Sequence, residues 1–382
     1  MLHSSRIPFN RPYVTGRELE YISQAHANGD LSGDGPFTKR CHQWLEGATG
    51  AKKALLTHSC TAALEMAALL LDIKPGDEVI MPSFTFVSTA NAFALRGGCP
   101  VFVDIRPDTM NIDENKIEAA ITENTRAICV VHYAGVSCEM DAIQGIARKY
   151  GLAVIEDAAQ GIGSRYKGQS LGSIGDIAAL SFHETKNIVC GEGGALLLNQ
   201  ASYMERAEII REKGTNRSRF MRGQVDKYTW VDIGSSYLPG EIIAAFLSAQ
   251  CEQAEEIKAR RLSIWDQYHN WAKKWELAGA VQRPTIPSDC EQNAHMYYVL
   301  LRNLEERSAF IDHMNAKGVM TVFHYVPLHS SPAGLQYGRY VGDMHHTLAA
   351  GDRLVRLPLW LGVEEHLPFI MESADDFFQR LA

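Results

Sequence analysis

Seven short, nearly continuous apolar runs punctuate the first half of the chain: "KALLT" (53–57), "DEVIMPS" (77–83), "CPVFVDI" (99–105), "TRAICVVHY" (125–133), "LAVIEDA" (152–158), "AALSFH" (178–183) and "GALLLN" (194–199). Most are separated by segments with helical apolar spacing, such as "TAALEMAALLLD", "NKIEAAITE" and "CEMDAIQGIARKY". A strand covered on both faces has no solvent side on which to alternate polar residues. Continuous apolar strands alternating with helices therefore imply a largely parallel sheet with helices on both faces. Residues 1–250 are read as one large α/β domain. From about residue 240 the pattern changes to a long helical stretch, "EIIAAFLSAQCEQAEEIKARRLSIWDQYHNWAKKW", and then a Pro-rich turn, "RPTIPSDC". Strand-like "MYYVLLR" and "MTVFHYV" flank helix-like "RSAFIDHMNAKG", which predicts a smaller α+β domain over 251–382. A chain of 382 residues is long enough to bury both cores.

Composition narrows the function classes. A net charge of −8 gives no general reason to expect nucleic-acid binding, so an anionic ligand must meet local positive charge. The eight cysteines are scattered without a C-x-x-C pair, which argues against a zinc site or a disulfide framework and fits reduced thiols in a cytosol. The N-terminal "MLHSSRIPFNRPYV" lacks an apolar signal core, and "LEMAALLLDI" is too short and too charged to span a bilayer.

The residues suited to chemistry stand at the C-terminal ends of the apolar runs, where open α/β sheets bind ligands. "THSCTAALEMAALL" opens a helix on small and hydroxyl residues, so the N–H groups near Cys60 and Thr61 suit a phosphate; an ordinary helix cap has the same pattern. "PSFTFVSTANA" offers Phe84 and Phe86, either of which suits stacking on a planar ring or simple core packing. "LAVIEDAAQG" ends a strand in Glu156 and Asp157, where a carboxylate suits a protonated ring nitrogen or a turn. "SFHETKNIVCGEGG" sets Lys186 between a strand and a glycine-rich turn, where partial desolvation favours the neutral amine a Schiff base needs; a surface loop is the plain alternative.

In series these stretches resemble the DegT/StrS-type sugar aminotransferases over nearly the whole length, through "SCTAALEMA", "DEVIMPSFTFVSTANA", "VIEDAAQG", "SFHETKN…GEGG" and "HYVPLH". The resemblance implies the aspartate aminotransferase-like fold type I, with a seven-stranded, mostly parallel sheet in the large domain, and pyridoxal 5'-phosphate (PLP) as cofactor. It implies Lys186 as the Schiff-base residue, Asp157 at the pyridinium nitrogen, Gln160 near the ring hydroxyl and Phe86 stacked on the ring. Ser181 would bind the cofactor phosphate together with the backbone at Cys60 and Thr61. A homodimer with shared active sites is implied too. Where such proteins commonly carry an Asn before a Tyr-Arg pair, this chain reads "SSYLPGE", so Ser236 stands as the phosphate contact given to the neighbouring subunit.

"LSGDGPFTKRC", "REKGTNRSRF", "RGQVDKYTW" and "DIGSSYL" resemble a subgroup that aminates C4 of a dTDP-linked 4-keto-6-deoxy sugar with glutamate as donor. Arg217 and Arg219, within the basic segment 211–227, are candidates for the sugar diphosphate, and His329 of "HYVPLH" for the sugar. Buried core histidines are the plain reading of His295, His324 and His329. Lys186 argues against the dehydratases of this fold, in which a histidine replaces that lysine. "GIGSRYKG" fails the dinucleotide-binding G-x-G-x-x-G spacing. A non-catalytic regulator would carry a DNA-binding domain, for which the residues before the first helix leave no room.

Overall fold

The computed structural model describes residues 6–380; residues 1–5, part of the segment read above for a signal core, and the last two residues of the expected smaller domain lie outside it. All seven apolar runs form strands: β1 Lys53–Thr57, β2 Glu78–Pro82, β3 Cys99–Val103, β4 Thr125–Val131, β5 Ala153–Asp157, β6 Ile177–Ser181 and β7 Gly194–Leu198. They lie in the order β1-β7-β6-β5-β4-β2-β3. Neighbours from β6 to β3 are parallel, and β7 runs antiparallel to both β1 and β6. Both faces are covered, as the continuous apolar runs require. Val79 and Met81 of β2 pack with the helix Cys60–Leu70, while Ile80 between them packs with Ile143 and Ala147 of the helix Met140–Tyr150.

The sheet is one strand wider than the expected seven. Arg339–Tyr340 pairs parallel with Val101 and Phe102 of β3. Two residues are too few to leave an apolar run; the segment is fixed instead by the Arg339 guanidinium, which forks onto the Glu78 carboxylate at 2.7 and 2.8 Å. The long helical stretch is two helices, Glu241–Glu252 and Ala254–Leu277, parted at Gln253. "MYYVLLR" contributes Tyr297–Leu300, paired antiparallel with Leu354–Leu357. "MTVFHYV" forms no strand: a single bridge joins Val322 to Arg356, and His324 and Tyr325 turn to a cavity. A second core gathers Ile257, Tyr268, Tyr297, Phe310 and Phe378, with Ile7 from the N-terminal segment. Among the described residues, no helix is long and apolar enough to cross a membrane, and no group of His, Cys, Asp and Glu is placed to hold a metal ion.

Glu156 and Asp157 are adjacent on β5 and so point to opposite faces. Glu156 is fully buried and accepts the N–H groups of Gly172, Ile174 and Gly175 at 2.8, 2.8 and 2.6 Å. His132 Nδ1 accepts the Cys138 N–H, so its Nε2 carries the proton and donates it to Glu156 at 2.8 Å. Burial pushes the Glu156 carboxyl up, but these donors outweigh it and hold the group below its usual range. Glu156 thereby ties down the β5–β6 connection. Glu156→Gln is predicted to destabilise the fold by about 2–4 kcal/mol. Because the folded carboxyl is the stronger acid, the gap between parent and variant is full above the ordinary carboxylate range and shrinks as pH falls through the folded value. Urea unfolding of both proteins as a function of pH checks this; a gap independent of pH contradicts it.

Candidate functional site

The ends of β4, β5 and β6 and the turns after β1 and β2 surround one cavity of about 930 Å³. Reversal of β7 sets its lining. An antiparallel neighbour needs no crossover helix, so β6 and β7 are joined by the short loop 182–193, which folds back over the strand ends. Phe182 N–H donates to Gly193 O and Cys190 N–H to Phe182 O, both at 2.8 Å, and they hold the loop closed. Lys186 in that loop lines the cavity.

Gly194 pairs with Thr57 of β1 on one side and Ser181 of β6 on the other. A Cβ at Gly194 would lie 2.4 Å from Cys60 N, so only glycine lets β7 start against the turn that opens the helix Cys60–Leu70. Ser59 caps this helix, its Oγ accepting the Ala62 N–H at 3.1 Å. The N–H groups of Cys60 and Thr61 belong to the first turn, which has no helical acceptors. Both residues, with Ser181, line the cavity and form a cradle suited to an anion. The Thr61 hydroxyl lies 2.7 Å from that of Ser88, joining this helix to the next, Val87–Ala94.

Asp157 is buried at the end of β5, on the strand next to β6. Its Oδ2 accepts from the Thr89 hydroxyl at 2.7 Å and its Oδ1 from the Ala159 N–H at 3.2 Å. The single Thr89 proton goes to the carboxylate, so Thr85, 2.8 Å away, donates in turn to Thr89. Gln160 Oε1 accepts the Ala134 N–H at 2.7 Å, and its Nε2 donates to the Tyr325 hydroxyl at 3.0 Å. Of the two candidate aromatics, Phe84 packs into the core with its ring 5.4 Å from that of Tyr133, while Phe86 lines the cavity, 58% exposed.

Other expected residues are not brought to this cavity. Arg217 pairs with Glu212 at 3.4 Å and Arg219 with Glu205 at 3.2 Å, so acidic neighbours take up the charge of the basic segment. His329 is buried, with Nδ1 2.8 Å from Ser83 Oγ and its N–H donating to the same oxygen at 3.0 Å. It joins the "HYVPLH" turn to the end of β2 and is not among the residues that line the cavity, whereas its neighbour Leu328 is. Ser236 is exposed, bridged to Glu212, and outside the cavity of its own chain. His183, for which the sequence offers no role, lines the cavity with Nδ1 2.9 Å from the Thr185 hydroxyl and Nε2 3.5 Å from Glu192, whereas Glu184 is exposed. Thr89 and Arg356 belong to the site without any sequence reading having singled them out. The i, i+4 spacing of Thr85 and Thr89 after a strand end is the one signal that marks the former.

Burial holds the Lys186 amine below the ordinary lysine value, and the Arg356 charge adds to this against the opposing pull of Cys60 and Asp157. Burial pushes Asp157 up, opposed by Thr89, the Ala159 N–H and Lys186. A lysine that is the weaker base when folded penalises the fold below its folded pKa, and the penalty fades as pH rises to the ordinary lysine value. Apoprotein carrying Lys186→Met is therefore predicted to melt above the parent at neutral pH, with the difference narrowing as the pH approaches the ordinary lysine range. Thermal unfolding across that range checks it; equal melting at neutral pH contradicts it.

The model of the DegT/DnrJ/EryC1/StrS aminotransferase family matches residues 12–369. The chain is 32% identical over 382 residues to the spore coat polysaccharide biosynthesis protein SpsC of Bacillus subtilis, covering 97% of this chain and 96% of that one. It is 34% identical over 368 residues to the uncharacterized protein MJ1066 of Methanocaldococcus jannaschii, covering 94% of each. Among solved structures, the aminotransferase TlmJ of Streptoalloteichus hindustanus superposes with a TM-score of 0.90 at 26% identity, over 99% of this chain and 100% of that one. Spr1654 of Streptococcus pneumoniae in its PLP form gives the same TM-score of 0.90 at 26% identity, over 99% of this chain and 100% of that one. The residues present fit PLP: an anion cradle that a Cβ at Gly194 would disrupt, a buried carboxylate, and a desolvated amine on one cavity. The chain belongs to the DegT/DnrJ/EryC1/StrS family and is a PLP-dependent aminotransferase of fold type I.

Proposed function

We propose that this enzyme moves an amino group from glutamate to the C4 ketone of dTDP-4-keto-6-deoxy-D-glucose. The product is dTDP-4-amino-4,6-dideoxy-D-galactose, for cell-surface polysaccharide of the enterobacterial common antigen or O-antigen type. The observation that carries the reading is a lysine amine, a buried carboxylate and a helix-end anion cradle lining one cavity. Its narrower part is supported by the likeness of "LSGDGPFTKRC" and "REKGTNRSRF" to dTDP-4-amino-4,6-dideoxygalactose transaminase, and by a relative named for polysaccharide synthesis.

In this reading Lys186, whose amine burial holds below the ordinary lysine value, would hold the cofactor through its amine and would be the group placed to move a proton at the reacting carbon. PLP, when bound, supplies the ring that accepts the electrons of the breaking bond. Asp157, held by Thr89 and Ala159, would hold a proton on the ring nitrogen. Cys60, Thr61 and Ser181 would hold the phosphate, with Phe86 beside the ring and Gln160 near its hydroxyl. The enzyme acts as a cytoplasmic homodimer. Met221 and Trp230, 71% and 78% exposed just before Ser236, offer an apolar surface for the second copy, and Ser236 reaches the phosphate bound in the neighbour. Residues 1–250 hold the cofactor and residues 251–382 form the smaller domain beside it.

Incubation with glutamate and a panel of dTDP-linked 4-keto and 3-keto sugars, followed by NMR of the products, tests the assignment. An axial C4 amine is expected from the parent enzyme, and no turnover from Lys186→Ala. Amination at C3 or an equatorial C4 amine overturns the substrate assignment, and near-normal turnover by Lys186→Ala overturns the mechanism.

A further inference from the structure

Asp157 and its neighbour Glu156 are both buried carboxyls, but they are supplied very differently. Burial pushes Glu156 up, and three N–H groups and His132 together outweigh it. Asp157 has two donors among the described residues, the Thr89 hydroxyl and the Ala159 N–H, and burial holds its carboxyl above the ordinary range. Against that push Thr89 weighs most, followed by Ala159 and then by the Lys186 charge. Thr89 stands in the first turn of the helix Val87–Ala94 and is fully buried, so no solvent donor stands ready to replace it. Its single proton goes to Asp157, and its oxygen accepts from Thr85, which is itself buried, at 2.8 Å. Two hydroxyls that point the same way along a chain strengthen each other's bonds.

We propose that Thr89, supplied by Thr85, is a positioning residue that keeps the proton shared by Asp157 and the cofactor ring nitrogen on the nitrogen. Two bases face each other there with one proton between them. With the proton on the carboxyl the pair is neutral, the arrangement burial favours; with it on the nitrogen the pair is ionic, and the carboxylate needs donors. The ionic arrangement is the one the chemistry requires. Glu156 shows that four donors secure a buried carboxylate, but four would fill the lone pairs of Asp157 and leave none for the ring N–H. Thr89 and Ala159 take one position on each oxygen, which leaves room for that contact and makes the proton's place sensitive to a single hydroxyl. This assignment rests on the placement of Asp157 at the ring nitrogen proposed above.

The parent enzyme and its variants are loaded with PLP carrying nitrogen-15 in the ring, and the ring-nitrogen signal is read by NMR. The parent is expected at the position of a protonated ring. Thr89→Val moves the signal toward that of neutral pyridine, Thr89→Ser restores it, and Thr85→Val falls between. In Thr89→Val the kcat of both half-reactions falls together, roughly tenfold or more, because the ring serves both. The half-saturating concentrations of glutamate and keto sugar stay nearly unchanged. Because Thr85 acts through Thr89, adding Thr85→Val to Thr89→Val costs nothing further. A parental ring signal in Thr89→Val, a Thr89→Ser as impaired as Thr89→Val, or additive losses in the double variant overturn the proposal. Should Thr89→Val fail to fold, Thr85→Val decides: a signal moved toward neutral pyridine supports the proposal, and a parental signal overturns it. An Asp157→Asn protein with a parental ring signal overturns the placement of Asp157 itself, and the proposal with it.

Discussion

The pairing of Gly194 between Thr57 and Ser181 is the contact on which the site depends. Because β7 is antiparallel to both neighbours, the chain leaves β6 and returns within a short loop at the carboxyl edge of the sheet, and that loop carries Lys186. The same register sets Ser181 on one side of a glycine and the helix-opening turn at Cys60 on the other. A side chain at Gly194 would collide with the backbone N–H the anion cradle requires. One strand reversal and one missing Cβ thus position the amine and the cradle together.

The period of the strand does comparable work on β5. Glu156 and Asp157 are chemically similar neighbours with opposite tasks, divided by the alternation of side chains. Glu156, satisfied by three N–H groups and His132, fixes the loop that returns the chain to β6. Asp157 faces the cavity with Thr89 and Ala159 as partners, and the tethered loop behind it keeps it in place. The most buried ionic group is therefore part of the scaffold, and its neighbour is available for chemistry.

The seven main strands were legible because a doubly covered strand writes its burial directly into a run of apolar residues. Arg339–Tyr340 was not, since a two-residue strand held by an ion pair leaves no run, and "MTVFHYV" misled because its alternation serves a cavity and not a sheet. At the site, Lys186, Asp157, Ser181 and the Cys60 turn could be read from strand ends, where chain position and chemistry coincide. Thr89 could not, because it acts through Asp157, distant in sequence, and Arg356 could not, because only the fold brings its strand to the cavity. His329 and the arginines at 217 and 219 looked suited to a ligand by residue type, yet Ser83, Glu212 and Glu205 occupy them. Partner choice across the fold is the information a linear pattern lacks.

The central claim is that the loop after β6 delivers the lysine that bonds the cofactor. Borohydride reduction of the PLP-loaded protein, followed by digestion and mass mapping of the pyridoxyl group, measures it directly. The account predicts one modified residue, Lys186; a pyridoxyl group fixed on any other lysine, or none fixed at all, would contradict it.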